Sequence, residues 1–213
     1  RMPASRGNRC ALLVDGEATF DAIFAAIDGA QRYVLVQFFI VRDDDQGRAL
    51  QERLMARARA GVKVYFLYDE IGSHALPASY LQALREAGCE VSAFHSTRGR
   101  RNRFQINFRN HRKITVADGR VALMGGINAG DEYMGRSRRF GPWRDTHVRL
   151  EGPAVTSCQL SFLEDWHWAT GRMIEVDAQP RAAADGDQRV LILNSGPADD
   201  LDTCELFFVQ MIH

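Results

Sequence analysis

Short apolar runs alternate with segments of helical spacing along the first 170 residues, and this alternation constrains the fold more than any other feature. Cys10 to Val14, Tyr33 to Val41 and Val62 to Tyr68 read as strands. Between them Phe20, Ile23, Phe24 and Ile27 recur at helical spacing up to Gly29, and an Arg- and Ala-rich helix runs from Gly47 to Ala60 before Gly61. A helix from about Pro77 to Ala87, a strand from Glu90 to Phe94 and a hairpin of His111 to Ala117 with Arg120 to Met124 about Asp118-Gly119 follow. Thr146 to Leu150 adds a strand, and Gly152-Pro153 opens an amphipathic helix ending near Gly171. The pattern predicts an α/β fold, a mixed β-sheet sandwiched between α-helices.

After an Ala-, Asp- and Pro-rich stretch the opening pattern returns. A strand at Arg189 to Leu193 and a helix at Cys204 to Ile212 repeat the order and spacing of Cys10 to Val14 and Phe20 to Ile27. Pattern alone is compatible with two unrelated strand–helix units and with a second copy of the first domain.

Charge and cysteine content narrow the function. Net charge is zero, 27 basic against 27 acidic residues, so no global field favours a nucleic-acid partner. Locally, seven basic and no acidic residues lie between Arg98 and Lys113, with Phe104 and Phe108 among them. Such a run fits a solvated loop, a collar for lipid headgroups or a nucleic-acid track. The four cysteines are scattered and read as free thiols of a reducing compartment. Asp43-Asp44-Asp45 reads as turn and N-cap chemistry, and Trp166-His167-Trp168 as packing. No residues have metal-ligand spacing, and no cofactor is expected. No apolar run is long enough to span a bilayer, and no signal peptide is visible. Both ends read as cut, which leaves room for a membrane anchor before residue 1.

The chemistry is concentrated between Asn107 and Asn128. On a strand His111 and Lys113 share a face, Asp118-Gly119 turns the chain, and the returning strand ends at Gly125-Gly126 beside Asn128. An imidazole, an ammonium and a carboxamide converging with open backbone suit a phosphoryl group: one nucleophile or base, and donors for the non-bridging oxygens. Lys113 is one of only two lysines among the 27 basic residues, so an ammonium stands where this chain otherwise uses guanidinium.

His111-x-Lys113, four residues, Asp118, six residues, then Gly125-Gly126-x-Asn128 resembles the signature of the phospholipase D superfamily. Gly7-Asn8, Gly61-Val62, Asp69 with Gly72-Ser73, Arg109-Asn-His-Arg-Lys113, Asp131-Glu132-Tyr133, Trp143-Arg-Asp145 and Gly152-Pro153 make it similar to bacterial cardiolipin synthases, from about Gly7 to Gly171. The resemblance implies a first phospholipase D-like domain over residues 1–171, a linker over 172–188 and a second, truncated one from 189 to 213. It implies phosphatidyl transfer through a phosphohistidine, with phosphatidylglycerol as substrate and glycerol released. His111 is then nucleophile or acid, Lys113 and Asn128 hold phosphate oxygens, and Asp145 orients the histidine. Asp118 belongs to the motif but reads as a turn stabiliser. Gly125, Gly126, Arg109 and Glu132 are substrate-binding candidates. No second His-x-Lys is present, so the partner motif comes from a following half or a second subunit. An anionic membrane surface, the cytoplasmic face of a bacterial inner membrane, is the expected location. The rivals are a single-motif phosphodiesterase or nuclease acting as a dimer, a phospholipase D-type hydrolase, and a non-catalytic basic module.

Overall fold

The computed structural model describes residues 4–94, 110–177, 179–195 and 203–213. Eight strands form one sheet in the order β4-β3-β2-β5-β6-β7-β1-β8. They are β1 (Ser5–Val14), β2 (Tyr33–Phe38), β3 (Lys63–Asp69), β4 (Glu90–Phe94), β5 (Ile114–Ala117), β6 (Val121–Gly125), β7 (Thr146–Glu151) and β8 (Gln188–Val190). Pairings β2–β3 and β3–β4 are parallel and the rest antiparallel, as a mixed sheet requires.

Helices α1 (Asp15–Gly29), α2 (Asp45–Arg59) and α3 (Ala78–Glu86) cover one face, and α4 (Ala154–Thr170) covers the other. β2 is apolar except for Gln37 because both its faces are buried. Val34 and Val36 pack with Phe20, Leu50 and Leu54, while Leu35 packs with Val116, Phe162 and Trp166. Asp44 caps α2, accepting from the Gly47 N–H at 3.0 Å, and Trp166 lies edge-on to Tyr65 at 5.4 Å. Gly171, in the left-handed region, ends α4.

Several boundaries differ from expectation: β1 begins at Ser5 and not at Cys10, β8 ends at Val190 and not at Leu193, and two further differences bear on the site. The run Tyr33 to Val41 leaves regular pairing after Phe38, because above Ile114 there is no β5 residue to pair with and the Asn128 side chain takes the Ile40 N–H instead. The strand expected from His111 begins three residues later, at Ile114. His111 to Lys113 therefore lead into the strand, and their shared direction has another origin than the pleat.

Residues of the expected linker make tertiary contacts with the first domain. Asp177 pairs with Arg32 at 3.0 Å, and the Ala183 N–H donates to the Gly7 carbonyl. β8 then joins the edge of the sheet beside β1. Helix α5 (Thr203–Ile212) has no buried residue and exposes Leu206, Phe208, Met211 and Ile212. The basic run from Arg98 to Arg109, with Phe104 and Phe108, lies outside the described residues.

Candidate active site

Strand direction decides which residues meet. β1, β2, β3 and β6 run toward one end of the sheet, whereas β5 and β7 start there. The residues at or just past the ends of β1, β2, β3 and β6 and just before β5 and β7 gather there: Asp15, Phe39, Asp69, Gly126 to Asn128, Asn110 to Lys113, and Asp145. Clefts beyond the strand ends are where such sheets place ligands.

Three tethers hold the segment bearing His111. The Asn110 N–H donates to the Asp69 carboxylate at 3.0 Å, and Asp69 also receives the N–H groups of Ile71 and Gly72. The Arg112 guanidinium donates to Asp165 at 2.6 Å, and Asp165 accepts from Gln37 at 2.8 Å. Lys113 turns its Nζ back to the His111 carbonyl at 2.5 Å. The His111 ring is exposed and lies 3.9 Å from that of Phe39, whereas Lys113 is buried with its Nζ 5.3 Å from the same ring centroid. Burial lowers the Lys113 pKa to about 8, against the opposing pull of Asp145 and Asp69.

Asn128 is buried, and its Oδ1 accepts from Ile40 at 2.9 Å, which commits the oxygen and leaves the two N–H donors for other partners. Tyr133 is among those partners. Its hydroxyl is pushed up to about 12, chiefly by burial. Gly125 and Gly126 clear space for polar groups. A Cβ on Gly126 would stand 2.2 Å from an Asp145 carboxylate oxygen, and one on Gly125 would stand 2.5 Å from His147 Nδ1. Asp145 accepts from Thr146 at 2.7 Å and Trp143 at 3.3 Å, and its backbone N–H donates to Asp15 at 3.0 Å.

The structure thus brings His111, Lys113, Gly125, Gly126, Asn128 and Asp145 to one end. Asp118 sits at the opposite end of β5, its carboxylate accepting from the N–H groups of Gln31, Arg32 and Tyr33 at 2.8–3.0 Å. Glu132 pairs with Arg42 at 3.3 Å on the short 3-10 helix Asp131–Met134, and Arg109 lies outside the described residues.

Sequence reasoning missed three contributors. Asp165 falls on the buried face of α4 with Phe162 and Ala169, and a carboxylate on an apolar helix face needs a partner, which could have flagged it. Asp69 is the last residue of a buried strand, yet nothing local names Asn110 as its partner. His147 is buried beside Gly125, accepts from the Ile127 N–H at 3.4 Å through Nδ1, and has a pKa lowered to about 4 by burial. Among the described residues no group of three or more metal-ligating side chains is present.

The family profile described as "Cardiolipin synthase, PLD-like domain" matches residues 23–139. Cardiolipin synthase A of Pseudomonas putida (strain GB-1) is 54% identical over all 213 residues, which span 44% of that relative's length. Two solved structures share the fold at low identity. NucT from Helicobacter pylori has a TM-score of 0.60 at 13% identity, with 76% of this chain and 98% of that one covered. Nuc from Salmonella typhimurium, a phospholipase D family member, has a TM-score of 0.53 at 15% identity, with 78% and 98% covered.

Proposed function

The chain belongs to the cardiolipin synthase, PLD-like domain family, and on that premise we propose that it is the first half of a phosphatidyltransferase working through a phosphohistidine. The observation that carries the reading is the gathering of an exposed imidazole, a buried ammonium, a fixed carboxamide and a carboxylate at one open end of the sheet. A phosphodiester needs this set: a nucleophile, donors for the two non-bridging oxygens, and a carboxylate to balance an imidazolium.

The substrate is phosphatidylglycerol. One histidine nitrogen attacks phosphorus; as the P–N bond forms, the P–O bond to glycerol breaks. A second histidine on the far side gives its proton to the leaving oxygen. The hydroxyl of a second phosphatidylglycerol then loses its proton to that histidine and attacks phosphorus. The P–N bond breaks, cardiolipin leaves and the imidazole is restored. His111 is one of the two histidines, and the other comes from the rest of the polypeptide or a second subunit. Lys113 and an Asn128 N–H take the non-bridging oxygens, Asp145 supports the imidazolium, and an anionic membrane surface at the cytoplasmic face presents the lipid.

The test uses the intact polypeptide with phosphatidylglycerol labelled in both phosphate and headgroup. Cardiolipin and free glycerol should appear in equal amounts, in excess chelator as well, and His111→Ala should abolish both. Phosphatidic acid as sole product would make water the acceptor and the protein a hydrolase. Loss of turnover on chelation, restored by a divalent ion, would place it in another class.

A further inference from the structure

We propose that Phe39 is a positioning residue for the site, a platform that sets the plane of the His111 imidazole and the position of the Lys113 ammonium, and that the turn from Asp69 to Ser73 holds it there. The proposal rests on the reading that His111 is a reacting group.

Phe39 is buried, yet it belongs to neither hydrophobic cluster of the core. It stands just past β2, at the end of the sheet where the polar residues gather. Its ring and that of His111 are 3.9 Å apart and inclined by 20°, a face-to-face stack, and Lys113 Nζ lies 5.3 Å from the same centroid. This ring is a contact that His111 and Lys113 share although neither is in the strand, and it adds to the tethers that hold the segment.

Stacking has a chemical consequence. Both nitrogens of an imidazole lie in its plane, so a ring laid on Phe39 presents its lone pair and its N–H edgewise, parallel to the phenyl face. One imidazole face is closed to water. Rotation about Cβ–Cγ, which would swing the ring out of this plane, is opposed by the stack, so the direction in which the in-plane nitrogens point is set by the platform. An aromatic face also attracts an imidazolium or an ammonium more than a neutral group.

The turn serves the same two residues. Ser73 Oγ donates to the Phe39 carbonyl at 3.1 Å and accepts from the Val41 N–H at 3.0 Å. Asp69, almost wholly buried, takes the N–H of Asn110, so the turn under Phe39 also fixes the backbone entering His111. Gly72 packs directly on the platform: a Cβ there would stand 2.2 Å from the Phe39 carbonyl oxygen and 2.8 Å from two of its ring carbons. Gly72 is not among the glycines of positive φ, so space and not backbone freedom is what the position demands.

Two readouts test this. In the intact polypeptide, Phe39→Leu should lower kcat about 100-fold, the scale of a small misplacement of a reacting group, with KM within about threefold. Phe39→Tyr should retain turnover. In NMR spectra the His111 ring protons, shifted upfield by the facing phenyl, should move to ordinary imidazole positions in Phe39→Leu and stay in Phe39→Tyr. Gly72→Ala keeps the phenyl but displaces it, so it should show the same two changes to a lesser degree; it also serves if Phe39→Leu does not fold. Normal kcat in Phe39→Leu, unmoved His111 resonances, or equal losses in the Leu and Tyr variants would overturn the proposal. If the wild-type protein transfers no phosphatidyl group while the resonances move as expected, the functional reading fails and the platform stands.

Discussion

At the lower end of β5 the Asp118 carboxylate accepts three backbone N–H groups, and Asp118 and Gly119 both take positive φ in a two-residue turn. At the upper end, among the described residues, Lys113 has the His111 carbonyl as its one hydrogen-bond partner, and the paired glycines stand exposed. One motif spans both ends, but its acid closes a loop while its base stays available to a ligand. Membership of a motif therefore does not establish a chemical role; the partners already committed to each group do.

The comparison can be broken most severely at the upper end. Lys113→Arg should cost about 100-fold or more in kcat, because a planar guanidinium cannot occupy the buried place of a point charge, while thermal unfolding stays near wild type. Near-normal turnover in the intact polypeptide would make Lys113 a structural cation. Because the Lys113 pKa is about 8, the charged form is lost as pH rises through that value, so kcat/KM should fall on the alkaline side from about 8.

At the lower end the expected effect is on stability. Asp118→Ala leaves three N–H groups without their carboxylate and should destabilise the chain by about 2–4 kcal/mol, with kcat of the folded intact enzyme within about threefold. Urea unfolding and kinetics on the same preparation separate the two. A large kcat loss with little change in stability would return Asp118 to the reacting groups.

The smallest effect sharpens the picture of the upper end. His147 has a pKa of about 4 in the folded chain against 6.5 for the unperturbed group, so the unfolded state binds more protons between these values. Its contribution to stability is present above about 6.5 and is lost as pH falls toward 4, at up to about 1.4 kcal/mol per pH unit. Urea midpoints measured across that range should fall with pH in the wild type and flatten in His147→Gln. Parallel curves for the two proteins would mean that His147 is not held neutral.

Local pattern was enough to determine the element order, the Asp118-Gly119 hairpin, the cap at Asp44, and the grouping of His111, Lys113, Gly125, Gly126 and Asn128, because each depends on periodicity, turn chemistry or spacing within about twenty residues. Asp145 was legible through the resemblance alone. Pairings across long separations were not legible. Asp69 holds Asn110, Asp165 holds Arg112, and Phe39 meets His111 only because strands β2, β3 and β5 and helix α4 bring their ends together. The shared direction of His111 and Lys113 was expected from strand pleating, but it arises from the Phe39 ring and the tethers around it. Periodicity reports which way a side chain faces within its own element. The partner waiting on that side is decided by how the elements pack, and here that partner is a single phenyl ring.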